Sequence, residues 1–160
     1  MNKSYRSSFE ITRFAQQILL NAELEAVERH GKEPEVIFCS SDDEELEKIL
    51  GFIQEFKQAG HGSMGIICKT HAAAKQLHST LVQHIECNLL SPDSVSFVYG
   101  IQIASAHMSK GLEFDVVLVP HAHEKVYATE TDKHLLYIAC TRAMHELYVT
   151  YTNTKSSFLP

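Results

Sequence analysis

Residues 105–120, SAHMSKGLEFDVVLVP, set a polar turn between two strand-forming runs. Ile101 to Ala106 reads as a strand, the chain then breaks at His107, Ser109, Lys110, Gly111 and Glu113, and Val116 to Val119 resumes as an apolar run. Continuous apolar runs of this length fit strands buried on both faces, as in parallel sheets. A polar turn at a strand end is where an open α/β sheet gathers groups that bind ligands, and it is equally a plain glycine turn with solvated charges.

Outward from this stretch, strands and helices alternate. Val36 to Cys39, Met64 to Cys68, Val95 to Val98 and Leu147 to Tyr151 read as further strands. Ile11, Phe14, Ala15, Ile18, Leu19 and Ala22 share one helical face, and Ser7 with Glu10 has the spacing of a capping box. Ser41 with Glu44 repeats that spacing before the stripe of Leu46, Ile49, Leu50, Ile53 and Phe56, so the acidic run at 42–45 reads as a helix N-terminus. A third helix runs from about Thr70 through Ala73, Leu77 and Leu81, and a fourth from Asp132 to His145. Alternation of this kind implies an α/β layer with a mainly parallel sheet flanked by helices, and no repeat or linker divides the chain, so residues 1–160 are expected to form a single domain.

Composition narrows what such a domain can do. The 160 residues are 44% hydrophobic and 21% charged, which excludes disorder and suits one globular unit. The formal charge of -6 has the wrong sign for a domain that grips DNA or RNA mainly by neutralising phosphates. No run has the length of a membrane span and the opening residues carry no apolar leader, so a cytoplasmic location is expected. Cys39, Cys68, Cys87 and Cys140 form no paired spacing, and the close pair His121 and His123 has no Cys or carboxylate at ligand spacing. No metal ligand set is expected.

The chain also lacks a phosphate-binding loop. GHGSMGIICKT, residues 60–70, puts two glycines at the right separation, but Ile66 and Ile67 stand where Lys and Ser or Thr would follow. VIFCSSDDEE, residues 36–45, mimics a strand ending in Mg²⁺-binding acids, and capping accounts for those acids. In HLLYIACTRAMHEL, residues 134–147, Leu136, Ala139, Cys140, Ala143 and Leu147 share a helix face, which leaves Arg142 off the stripe and able to meet an anion, or simply solvent. Arg6, at a helix entrance, carries the same two readings.

KSYRSSFEITRFAQQIL (3–19), MGIICKT (64–70), SAHMSKGLEFD (105–115) and LLYIACTRA (135–143) occur in the order and spacing of the C-terminal motifs of UvrD/Rep-like superfamily 1 helicases. The chain thus resembles the second RecA-like motor domain of such a protein, with KSYRS and the short gap before KGLEFD most similar to HelD-like proteins, which associate with RNA polymerase. The resemblance implies a RecA-like fold of the P-loop NTPase type. It implies an upstream RecA-like domain holding ATP with Mg²⁺, and single-stranded DNA as the track. Arg142 and Arg6 would reach the γ-phosphate, Glu113 the ribose, and Gly111 and Lys110 the nucleotide side of the turn. His107, Ser109 and Lys69 would couple nucleotide state to nucleic acid. Lys69 stands where relatives usually carry Arg, His134 where a basic residue is common, and Met144 where one is frequent. The segment between Lys69 and His107 is too short for the large inserted subdomain of UvrD and Rep, which argues against unwinding of the UvrD kind. The implied activity is that of an ATP-dependent helicase or translocase whose motor is completed by this chain. The alternative is a module, catalytically silent or linked to ATP, acting on RNA polymerase.

Overall fold

The computed structural model describes residues 7–20, 22, 29–92 and 100–160. Among them six parallel strands form one sheet: β1 (Glu35–Cys39), β2 (Ser63–Cys68), β3 (Asn88–Leu89), β4 (Gly100–Ser105), β5 (Phe114–Val119) and β6 (Ala143–Thr152), in the order β1-β6-β5-β2-β4-β3. Four helices complete it: α1 (Phe9–Ile18), α2 (Asp42–Ala59), α3 (His71–Leu81) and α4 (Glu130–Cys140).

Two apolar layers explain why the central strands carry apolar residues on both faces. On one face Ile49, Ile53 and Phe56 of α2 and Leu77 and Leu81 of α3 pack on Met64, Ile66, Ile103 and Leu118. On the other, Ile11 and Phe14 of α1 and Leu136 and Ala139 of α4 pack on Ile67, Ala104, Val117 and Val149. Alternate residues of each central strand serve opposite layers, the pattern of a RecA-like sheet covered on both sides.

Helix ends follow the polar residues. Ser41 accepts from the Glu44 amide to start α2, Gly60 at φ 82° ends it, and Thr70 accepts from the Ala73 amide to start α3. At α1 the cap is Ser8, one residue later than the spacing of Ser7 and Glu10 indicates. Ser7 is buried and its hydroxyl donates to the Ala143 carbonyl at 2.7 Å, while the Glu10 carboxylate accepts from the Gly31 amide at 2.8 Å.

α4 also ends earlier than its periodicity suggests, at Cys140 rather than His145, and Ala143 to Thr152 is strand. Ala143 and Leu147 are four apart, a spacing that keeps one face in a strand as well as in a helix. The β-rich LYVTYT decides between them, and Ala143 sits in register with Phe114. The two-residue strand β3 was not expected, and the run Val95 to Val98 lies outside the described residues.

Because every strand runs the same way, the sheet has two chemically distinct edges. Cys39, Cys68, Ser105, Val119 and Thr152 end strands at one; Ser63, Gly100, Phe114 and Ala143 begin strands at the other. Residues 106–113 leave β4 at the first edge and enter β5 at the second, crossing the α1/α4 face with Met108 and Leu112 packed on its core.

Candidate functional site

Arg142 stands at the edge where strands begin, in the turn between α4 and β6. Its Nε donates to the Ile138 carbonyl at 3.2 Å, Nη1 to the Leu112 carbonyl at 3.3 Å and Nη2 to the Thr141 hydroxyl at 3.1 Å. One N–H of each nitrogen is thereby used, and each terminal nitrogen keeps a second for an anion. Arg142 thus lies in a turn held by carbonyls rather than on a helix face. Burial lowers its pKa, the charge of the half-buried Glu113 opposes that, and the group stays a desolvated cation at neutral pH. The Arg142 carbonyl accepts from the Phe114 amide at 2.9 Å, which locks β6 to the residue after Glu113.

Ser7 and Ser8 attach α1 to this edge. Ser7 bonds the Ala143 carbonyl, and the Ser8 amide donates to the Met144 carbonyl at 3.0 Å, as does Arg29 at 2.8 Å. Arg6 itself lies outside the described residues. Gly111 adopts φ 80° with open space where a Cβ would stand, so within this chain its requirement is conformational. Lys110 and His107 are exposed on the crossing turn. Ser109 is fully buried: its hydroxyl donates to the Ala106 carbonyl at 2.7 Å, so the structure does not bring it to the surface with His107.

Lys69, at the end of β2, belongs to the opposite edge. Its ammonium bridges Asp132 Oδ1 at 2.8 Å and the Val126 carbonyl at 2.7 Å, so its charge is spent on the start of α4. Burial works against the Asp132 carboxylate, but Lys69 and the amides of Ala128 and Thr129 outweigh it and hold the pKa at about 2. A cleft of about 840 Å³ opens beside Lys69, lined also by Asp42, Thr70, His121, His123 and Lys125.

Two clusters escape sequence reasoning. Glu45 is buried at 1% exposure; its Oε1 pairs with His121 Nδ1 at 3.0 Å, and its Oε2 accepts from the His121 amide at 2.9 Å and the Thr150 hydroxyl at 2.7 Å. The carboxylate absent from the neighbourhood of His121 and His123 in sequence is thus supplied by α2. Burial raises the Glu45 pKa, but His121 and Thr150 prevail and hold it at about 2. At the other edge a chain of bonds runs from Lys32 to the Tyr148 hydroxyl, on to Glu146 and then to His61. Neither is signalled locally, since the first needs α2 against the end of β5 and β6 and the second joins segments before β1 and β2 to β6.

The string 60–70 is no phosphate cradle. Gly60 ends α2, the Gly62 amide donates to Asp115 at 2.8 Å, and Gly65 is inside β2, where a Cβ would lie 2.7 Å from the Phe114 ring. The Arg142 fork lies within electrostatic reach of the Glu113 carboxylate at the edge where strands begin.

Comparison with known proteins gives relatives for the sequence and the fold. Residues 88–154 match the UvrD-like helicase C-terminal domain. DNA helicase II of Rickettsia typhi is 29% identical over 93 residues, which cover 51% of this chain and 13% of that protein. A protein of Acanthamoeba polyphaga mimivirus carrying an ATP-dependent DNA helicase assignment is 26% identical over 98% of this chain and 26% of its own length. The chain therefore spans a small part of these relatives. The crystal structure of the C-terminal domain of a possible DNA helicase from Lactobacillus plantarum WCFS1 superposes with a TM-score of 0.83 at 28% identity, covering 97% of this chain and 91% of that one.

Proposed function

We propose that this chain, whose residues 88–154 match the UvrD-like helicase C-terminal domain and whose sheet is RecA-like, is the second motor domain of an ATP-dependent DNA helicase or translocase in the cytoplasm, closing an ATP site held by an upstream RecA-like domain. The observation that carries this reading is the meeting of Arg142 and Glu113 at one edge of β5 and β6. Phosphoryl transfer spreads negative charge over the γ-phosphate oxygens, and a guanidinium fixed in a dry site stabilises that charge without reorganising at the moment of reaction. The Ile138 and Leu112 carbonyls hold the fork in place while its remaining N–H groups face the anion. Glu113 accepts from ribose hydroxyls. Mg²⁺ and the phosphate amides belong to the upstream domain, and ATP supplies the energy of the cycle. Arg6, outside the described residues, is proposed as a second γ-phosphate contact on the resemblance of the KSYRS motif alone.

The turn from His107 to Glu113 joins the nucleotide edge to the edge proposed to meet single-stranded DNA. Lys110 and Gly111 at its end follow the nucleotide, and His107 at its beginning follows the strand. Lys69 and Ser109 support this edge from within, Lys69 by fixing α4 and Ser109 by fixing the turn. On this division of labour the chain by itself does not hydrolyse ATP, and joined to its upstream domain it gives an ATPase stimulated by single-stranded DNA about ten-fold, a coupling of about 1.4 kcal/mol. His107→Ala weakens that stimulation. Rates with and without oligonucleotide decide the matter. A flat response, with co-elution with RNA polymerase, would instead support the HelD-like role, which the relatives above do not specifically favour.

A further inference from the structure

We propose that Glu45, His121 and His123 form a binding site for a divalent transition-metal ion of the zinc class, at the edge of the sheet opposite Arg142. One donor atom from each of the three residues lies within 4.8 Å of those of the other two. Bonds of about 2.0–2.2 Å to imidazole nitrogen and carboxylate oxygen need donors roughly 3.3 Å apart, so the cluster closes on an ion by small side-chain movements. The donor set, two imidazoles and one carboxylate, suits zinc and its neighbours and does not suit Mg²⁺ or Ca²⁺, which take oxygen. It is therefore separate from the Mg²⁺ of the ATP cycle.

The fold prepares the ligands. Glu45 is fixed by the Thr150 hydroxyl and the His121 amide, both on Oε2, which leaves Oε1 toward His121 Nδ1 at 3.0 Å. An ion entering between these atoms displaces the shared proton, which passes to His121 Nε2. His123 brings the third donor: its Nδ1 accepts from the Thr152 amide at 2.9 Å and its Nε2 lies 3.5 Å from the Thr152 hydroxyl. The ion takes Nδ1 from that amide while Nε2–H donates to the hydroxyl, an outer partner of the kind that orients metal-bound histidines. Breaking the amide bond moderates the affinity. His121 and His123 both line the open cleft, so an ion has a route in and water can fill a fourth position.

Isothermal titration of the metal-free chain with zinc chloride tests this. One equivalent should bind, with Kd raised at least ten-fold in His121→Ala and His123→Ala and unchanged in His84→Ala, which alters an exposed histidine elsewhere. Cobalt(II) added to the unaltered chain should give the intense visible bands of a four- or five-coordinate ion, a readout independent of whether any variant folds. Absence of binding at tens of micromolar zinc, binding indifferent to both histidine substitutions, or a cobalt spectrum like that of the hydrated ion would each overturn the site.

Discussion

Asp132 performs two tasks with one carboxylate. Oδ1 meets Lys69, and Oδ2 accepts from the amides of Ala128 and Thr129 to complete the capping box of α4. Its pKa is held at about 2, below the ordinary value near 4, so its stabilisation is complete above the ordinary value and is lost as pH falls through about 2. Asp132→Ala should cost about 2 kcal/mol at pH 7 by urea unfolding, and the difference from the parent chain should close toward pH 2. A gap that stays constant with pH would detach the effect from the ionised pair. The capping half is local, Thr129 and Asp132 being three apart, yet a helix read as starting at Asp132 passes over it, because α4 begins at Glu130. The Lys69 half is not local, since only the fold brings the end of β2 against α4, and a lysine in a helicase-like motif reads naturally as a contact to polyanion. Glu45 was hidden for the same reason: among four successive acids that suit a helix N-terminus, nothing local marks the one that turns inward to His121.

At the scale of elements, β2 and β5 approach closely because Gly65 has no side chain. A Cβ there would stand 2.7 Å from the ring of Phe114, itself fully buried. Gly65→Ala should therefore destabilise by about 1–3 kcal/mol, and combining it with Phe114→Leu should cost less than the sum of the two changes. Simple additivity would place the strain elsewhere. For α2, Ser41→Ala removes the acceptor of the Glu44 amide and should lower stability by about 1 kcal/mol in thermal or denaturant unfolding, whereas an effect indistinguishable from zero would mean that the acidic first turn suffices. Caps and apolar stripes of this sort made α2, α3 and the central strands readable from sequence. The α4–β6 junction was not, because Ala143 and Leu147 satisfy a helical and a strand face alike, and the turn that holds Arg142 was concealed inside that ambiguity.

On the scale of the whole molecule, a parallel sheet separates two kinds of chemistry: Arg142 and Glu113 where strands begin, His107, Lys69 and the histidine–glutamate cluster where they end. Among the described residues no helix is long and apolar enough to cross a membrane. The net charge of -6 predicts that the chain by itself binds single-stranded DNA with a Kd weaker than about 100 µM at physiological salt, measurable by fluorescence anisotropy. Tight binding would contradict a motor in which the strand is gripped between two domains. The RecA-like layer could be taken from motifs in the sequence, because each motif is contiguous. How Arg142 is held could not, because its partners Ile138 and Leu112 come from two different motifs. The most direct test joins the chain to the proposed upstream domain and compares ATP turnover with Arg142 intact, as Ala and as Lys. Loss of an arginine finger costs roughly 10³-fold or more in kcat, with far less change in KM, and lysine cannot restore the planar fork. A fall of that size in Arg142→Ala with poor rescue by Arg142→Lys is the predicted result; turnover undiminished in Arg142→Ala would contradict the assignment of this edge to the γ-phosphate.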